Sequence, residues 1–219
     1  AVVLRRCDET PEGQADRAAR TIVEQMALAK QAQTPDSLRG HEGSAAAAYF
    51  AAWHSLFDAG WWRFGGRAYP PPPDPVNAML SFGYTLLLND IVSAVYRIGM
   101  DPAIGFFHAV DYGRPSLALD LEEEFRPVVV DTLVLGLLRQ QLLEPADFGR
   151  RENGRPGVVM TDDARRFFIA RYEERLAVKV RHPAWKEHLT YRQCIGRQVE
   201  HMARCILGKD EVYGPLLIR

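Results

Sequence analysis

The 219-residue sequence lacks most of the signatures that announce a chemistry by spacing alone. It has three cysteines, Cys7, Cys194 and Cys205, and no CxxC pair. Neither a disulfide framework nor a zinc or iron–sulfur site is therefore indicated, and reduced thiols are expected. There is no P-loop, no Rossmann glycine pattern, no nucleophile elbow, no HExxH motif and no internal repeat. No apolar run approaches the ~20 residues that span a bilayer, and the first residues lack the charged-then-apolar plan of a signal peptide. A cytoplasmic protein without membrane contact is the expectation. An excess of charge of one sign is also missing. Lys+Arg number 27 against 28 Asp+Glu, a formal net charge of -1. That excludes a uniformly basic nucleic-acid binder and confines any DNA contact to a localised basic face.

What is present fits a single folded domain over residues 1–219, because 47% hydrophobic and 25% charged residues can supply a substantial core. Helical periodicity dominates. Residues 16–33 place Ala19, Ile22, Val23, Met26 and Ala29 on one face and predict a core-facing amphipathic helix. Residues 45–50 begin a small-residue helix ending near Gly60, with Glu42 at its mouth and His41 on the surface or in a loop. Residues 76–98 put Met79, Leu80, Tyr84, Leu87, Leu88, Ile91, Val95 and Ile98 on the apolar side of a central helix. Residues 148–160, with Asn153-Gly154 at the turn, predict a short hairpin. Thr161-Asp162-Asp163 caps a helix bearing Arg165, Arg166, Arg171 and Arg175, and a last helix runs over about 184–207. The fold class is all-α, a helical bundle with one short β-hairpin.

Candidate chemistry concentrates in residues 105–130, GFFHAVDYGRPSLALDLEEEFRPVVV. His108 precedes an acidic segment, Asp120 to Glu124, at the head of an otherwise apolar helix. In helical geometry Asp120 shares a face with Glu123 and Glu124 while Glu122 points away. A bound cation would offset these carboxylates, and oxygens plus one imidazole suit Mg²⁺ or Mn²⁺ better than the thiolate-loving metals. The alternative is structural: acidic residues in a first turn complement the helix dipole, and Asp120 with Glu123 spells a capping box. Trp61 to Tyr69 interleaves aromatics with Arg63 and Arg67, a pattern that stacks bases or, more often, closes a core. Pro127 removes the N–H that would bond the Glu123 carbonyl and predicts a kink.

Three collinear stretches carry a resemblance: PPDPVNAMLSFGY at 72–84, DPAIGFFH at 101–108 and GRPSLALDLEEEFRP at 113–127. Together they resemble the CRISPR-associated integrase family, the first Cas protein, which inserts new spacers into the repeat array. The likeness covers that family's C-terminal helical lobe, and the family's N-terminal β-rich domain has no counterpart in these residues. It implies a metal site of Glu42, within the matching Glu42-Gly43, together with His108 and Glu123, and adds Asp120 as a catalytic partner. Leu88 stands where many relatives carry a tyrosine and cannot attack a phosphate, which favours a metal mechanism. Lys30-Gln31-Ala32-Gln33 is what stands where the family has a basic, Asn/Gln-bearing signature.

By the same resemblance the chain is expected to be a Mg²⁺- or Mn²⁺-dependent DNA endonuclease and integrase. A 3′-hydroxyl attacks a phosphodiester at a repeat boundary. The candidate DNA contacts are Arg67, Tyr84, Arg114, Ser116, Arg126, Arg165 and Arg166. The expected partners are double-stranded DNA, both spacer precursor and repeat, and a small ferredoxin-like CRISPR adaptation protein, with a homodimer in the full-length family. Two alternatives stand beside this: a catalytically idle DNA-binding scaffold of the same family, and a general metal-dependent phosphohydrolase.

Overall fold

The computed structural model describes residues 13–56, 61–150 and 156–217. Cys7 and the Asn153-Gly154 turn lie outside them. Seven α-helices order the described residues: α1 (Gln14–Ala29), α2 (Pro35–Ala51), α3 (Pro75–Arg97), α4 (Ser116–Phe125), α5 (Thr132–Arg139), α6 (Asp162–Ala177) and α7 (Tyr191–Ile206). Two antiparallel pairs accompany them, β1 (Phe148–Arg150) with β2 (Val158–Met160), and β3 (Lys179–Arg181) with β4 (His188–Thr190). The all-α reading holds. The first pair is the hairpin that the sequence predicts, whereas the second replaces the first turns of the predicted last helix. Thr190 starts α7 instead, with a capping box in which its hydroxyl accepts from Gln193 N–H and the Gln193 side chain accepts from Thr190 N–H.

The chain divides into two compact units, residues 1–81 with 134–165, and residues 82–133 with 166–219. In the first unit α1 and α2 run antiparallel. Gln14 Nε2 donates to Ala51 O at 3.0 Å, and Gln25 Oε1 meets His41 Nδ1 at 2.9 Å. His41 is thus a helix-pairing residue, where a surface or loop position is expected. The α1 face differs from expectation too. Ala15, Ala18 and Ala19 are buried, but Val23 and Met26 are 52% and 55% exposed, because alanines are the residues that allow the two helices to approach closely. The aromatic stretch closes a core. Trp62 and Phe64 are buried, Trp61 stacks on Trp62 at 3.8 Å, and Trp53 meets Phe64 at 5.6 Å.

α3 begins where Asp74 accepts from Asn77 N–H at 2.8 Å and Pro75 takes the first helical position. By length and composition its 23 residues could cross a bilayer, which corrects the expectation that no stretch does. The helix instead serves as core. Met79, Leu80, Leu87, Ile91 and Val95 are fully buried, and its Asp90 accepts a hydrogen bond from Tyr172 at 2.7 Å. Gly83 lets this helix approach its neighbours in the second unit, since a Cβ there would lie 2.5 Å from Val130 Cγ1 and 3.2 Å from Phe168 Cζ.

The kink expected at Pro127 takes the form of a widened turn. Residues Arg126–Asp131 form a π-helical segment between α4 and α5, and the Thr132 N–H reaches Pro127 O, five residues back. Thr132 Oγ1 donates to the same carbonyl at 2.8 Å. Arg175 supports this turn by donating both Nε, at 2.9 Å, and Nη2 to Val128 O. Its guanidinium serves the interior rather than the positive outer surface that the sequence suggests.

Candidate active site

The site in the second unit is built on a loop and the helix that follows it. Residues 98–115 form no regular element. The loop docks on the head of α4, with Leu117 N–H donating to Pro102 O at 2.8 Å and the buried Ser116 hydroxyl to Ala109 O at 2.8 Å. α4 starts at Ser116, four residues before Asp120. Asp120 is therefore not an N-cap, and the expected capping box with Glu123 does not form. Its carboxylate faces the loop instead. Oδ2 accepts from Phe106 N–H at 2.6 Å and Phe107 N–H at 3.0 Å, and Oδ1 accepts from His108 N–H at 2.8 Å. His108 Nδ1 completes the set at 2.7 Å from Oδ1. Burial pushes the Asp120 carboxyl up, but the hydrogen bonds from His108, Phe106 and Phe107 outweigh it and hold the group below the ordinary aspartate value.

Two consequences follow for the imidazole. With Nδ1–H directed to the carboxylate, Nε2 presents its lone pair, the tautomer in which a histidine binds a metal. Nε2 has no hydrogen-bond partner among the described residues. The loop also has no space to spare. A Cβ on Gly105 would lie 2.7 Å from the Ser116 backbone and 2.9 Å from Asp120 Oδ2.

The three glutamates of α4 have three different environments. Glu122, expected on the face opposite Asp120, Glu123 and Glu124, is 1% exposed and pairs with Arg126 Nη2 at 2.7 Å. Burial raises its carboxyl to about 7 against the opposing pull of Arg126. Glu123 is 37% exposed and also holds Arg126, through Nη1. Glu124 is drawn inward and bonds to Tyr213, Gln198 and Leu216. A single guanidinium thus bridges the first two, while its face lies 4.8 Å over the Tyr84 ring.

The other residues singled out by sequence occupy varied places. Glu42 lies in the first unit, in the middle of α2 rather than at a helix mouth, and is exposed. Arg67 is engaged internally with Ala68 O at 2.8 Å and Asn77 Oδ1 at 2.9 Å, so it orders the loop before α3. The Tyr84 hydroxyl donates to Asp131 at 2.6 Å, and Arg165 pairs with Asp162 along α6. Arg166 is exposed and also engaged. Arg114, exposed on the His108 loop, has no side-chain partner among the described residues.

Sequence reasoning missed a second cluster. His201, Cys205 and Asp210 bring ligand atoms within 4.8 Å of one another, a closeness that His108, Asp120 and Glu123 do not reach. Its wiring argues against a cation. Asp210 receives both Nε (2.8 Å) and Nη2 (2.7 Å) of Arg204, and His201 uses Nδ1 on Asp210 at 3.1 Å and Nε2 on Gly214 N–H at 3.0 Å. Cys194, buried on α7, has its thiol pushed up to about 11 by burial and is inert.

With fold and site in place, comparison with known proteins defines the class first. The chain has an all-α fold shared with solved structures of CRISPR-associated proteins. It superposes on a Cas1 protein from Thermotoga maritima with a TM-score of 0.80 and 27% identity, over 95% of this chain and 62% of that one. It shares the fold of a casposase bound to an integration product, with a TM-score of 0.77 and 22% identity over 100% of this chain and 72% of that one. A profile of the family described as CRISPR associated protein Cas1 matches residues 1–174. The chain belongs to the Cas1 family. It is 43% identical to the CRISPR-associated endonuclease Cas1 2 of Rhodospirillum rubrum, over 84% of this chain and 54% of that protein. It is 40% identical to the CRISPR-associated endonuclease Cas1 3 of Thermus thermophilus, over 90% and 58% respectively. The chain thus spans a little over half the length of these curated relatives.

Proposed function

We propose that this chain is the catalytic helical lobe of a divalent-metal-dependent DNA endonuclease and integrase. Its reaction bonds the 3′-oxygen of a spacer fragment to the phosphorus at a CRISPR repeat boundary, breaks that phosphodiester and releases the 3′-hydroxyl of the attacked strand. The observation that carries the reading is the His108–Asp120 pair, which leaves Nε2 open, together with the half-exposed carboxylate of Glu123 on the same helix as Asp120, in a chain of the Cas1 family. Imidazole nitrogen with carboxylate oxygens is a donor set that suits Mn²⁺ or Mg²⁺. His108 and Glu123 would hold the ion. Asp120, whose oxygens already accept four hydrogen bonds, orients His108 rather than ligating. When bound, the cation lowers the pKa of the attacking hydroxyl and offsets charge growing on the phosphate, a contribution of several kcal/mol.

The protein's own groups do the rest. Arg114, on the loop that carries His108, takes a phosphate oxygen and sets the strand against the imidazole. Arg165 and Arg166 offer charge along α6. Tyr84, Ser116 and Arg126 act from behind, holding the backbone on which the site stands, while Arg67 orders the loop before α3. Affinity that rests on phosphate contacts falls as salt rises. The partners in this reading are double-stranded DNA, a small ferredoxin-like adaptation protein and a second copy of the full-length protein, and the setting is the cytoplasm.

The test is strand transfer with a 3′-hydroxyl fragment, a repeat-bearing plasmid and the small partner, with Mn²⁺ or with EDTA. Product that requires Mn²⁺ and disappears in Glu123→Ala supports the reading. Full Mn²⁺-dependent transfer by Glu123→Ala overturns the site. One observation favours a second reading, an idle DNA-holding scaffold: Arg126 by itself already compensates Glu123. In that case Mn²⁺ leaves the melting temperature unchanged, whereas a ligand that binds only the folded state raises it.

A further inference from the structure

We propose that Glu124 is the positioning residue of this site and that segment 210–216 is, through it, part of the catalytic architecture. The proposal rests on the reading of His108 and Glu123 as cation ligands. Glu124 follows Glu123 on α4, so whatever fixes the direction of one side chain fixes the other, about 100° round the helix. Its carboxylate is drawn into the second unit and receives three donors from two other elements. Gln198 Nε2, from α7, lies 2.8 Å from Oε2, Leu216 N–H lies 2.7 Å from the same oxygen, and the Tyr213 hydroxyl donates to Oε1. Gln198 is fully buried and ties the same place together again, reaching the Tyr213 hydroxyl at 2.9 Å and Gly214 O at 3.1 Å.

The segment that supplies these donors is fastened independently. Arg204 clamps Asp210 through both carboxylate oxygens, and His201 accepts Gly214 N–H at 3.0 Å while stacking on Tyr213 at 5.1 Å. Leu216 is buried. The cluster that looks like a metal site is therefore a clasp, and what it holds is the strap across Glu124. The position of the anchor explains its use. Two residues after Glu124 the α-helical hydrogen-bond pattern gives way to the π-helical turn Arg126–Asp131, so Glu124 is the last anchored side chain before the α-helical repeat is interrupted. At its other end the cap position is Pro115, with no side-chain cap. The His108 loop ties the head of α4 through Leu117, Ser116 and Asp120, and Glu124 supplies the matching tie near the other end, which keeps Asp120 turned to the His108 loop and Glu123 on the outer face.

The test compares Glu124→Ala with Glu124→Gln in the full chain. An amide can keep all three contacts, with its oxygen toward Leu216 and Gln198 and its nitrogen toward the Tyr213 oxygen, so Gln rescues geometry without charge. Two readouts are taken. Amide hydrogen exchange of residues 116–125 is expected to speed up in Glu124→Ala relative to α3, and to stay near wild type in Glu124→Gln. The Mn²⁺ concentration for half-maximal DNA cleavage is expected to rise about 10–100-fold in Glu124→Ala, and little in Glu124→Gln. Unchanged α4 exchange in Glu124→Ala overturns the proposal, as does equal impairment of the two variants, which would assign the effect to charge. A global loss of protection in Glu124→Ala sends the same comparison to Tyr213→Phe, which removes one donor. Unchanged α4 exchange there also overturns it. Should the wild type cleave DNA without response to Mn²⁺, the cation reading fails, and the exchange measurement still decides the role of Glu124.

Discussion

Two histidine–aspartate pairs stand in the same unit, and they are wired for opposite ends. His108 and Asp120 meet at 2.7 Å, and His201 and Asp210 at 3.1 Å. At the first pair the carboxylate is saturated by backbone N–H groups, which leaves the imidazole's second nitrogen without a partner among the described residues. At the second the carboxylate is taken by Arg204, and the imidazole's second nitrogen by Gly214 N–H. The second pair brings more ligand-type atoms close together, yet the first has the open valence. Proximity of ligand types is thus a poorer guide than the accounting of lone pairs and protons. The same lesson separates the glutamates of α4, since three consecutive identical residues become a buried partner of Arg126, a half-exposed carboxylate and a strap anchor.

The sharpest way to break this contrast is to remove each histidine in turn. His108→Ala is expected to abolish Mn²⁺-dependent strand transfer and the Mn²⁺-induced rise in melting temperature while the metal-free protein stays folded. His201→Ala is expected to lower the melting temperature but retain a Mn²⁺ response. Strand-transfer assays and melting curves at graded Mn²⁺ read both, and a Mn²⁺ shift that survives in His108→Ala and vanishes in His201→Ala would invert the assignment.

A smaller effect is expected at the orienting carboxylate. Asp120→Ala strands three backbone N–H groups and the Nδ1 proton, so activity should fall about 10–100-fold. Stability should fall by roughly 1–3 kcal/mol, measured by urea unfolding in EDTA. Gly105→Ala acts on the same contact from the other side, because its methyl group meets Asp120 and the Ser116 backbone. It should resemble Asp120→Ala in strand transfer.

A further contrast comes from pH. Glu122 is held at about 7 in the folded protein against an unfolded value of 4.5. The folded state therefore binds the extra proton between those values, and the stability linked to this group, full below pH 4.5, is lost as pH rises through 7. Urea midpoints in EDTA at pH 5 and pH 8 should show this fall in the wild type and a flatter profile in Glu122→Gln. An equal slope in the two proteins would show that another group titrates. The least effect is expected at Arg114→Ala. DNA affinity should drop by the worth of one phosphate contact, and the slope of log K against log salt should decrease by about 1, with no change in melting temperature.

How much of this was legible beforehand differs by element. The central helix, the 148–160 hairpin, the capping of α6 by Thr161 and the break at Pro127 rest on local signals, apolar period, turn chemistry and a missing N–H, and they appear where those signals lie. The sequence suggests that α4 begins at its first acid, Asp120, whereas the helix starts at Ser116, whose hydroxyl is spent on Ala109 O rather than on a cap. The helix expected from about residue 184 gives way to β4 before Thr190, because residues 179–190 carry neither a glycine turn nor strict alternation that would mark a hairpin. The exposed face of α1 was misjudged because two apolar faces compete there, and the alanine face wins by close packing against α2.

By itself the sequence determined the helical class, the order of the elements and, through three collinear motifs, the family and the residue types that a cation would need. Those properties depend on neighbours a few positions apart, which helical and strand periodicity bring together in any context. Only the tertiary structure decided which lone pairs remain open. The Asp120 oxygens are consumed by a loop 12 to 14 residues away, and Glu124 by groups 74 to 92 residues away. Hydrogen bonds over such distances are set by how the elements pack, and packing leaves one histidine with a free nitrogen and closes the other.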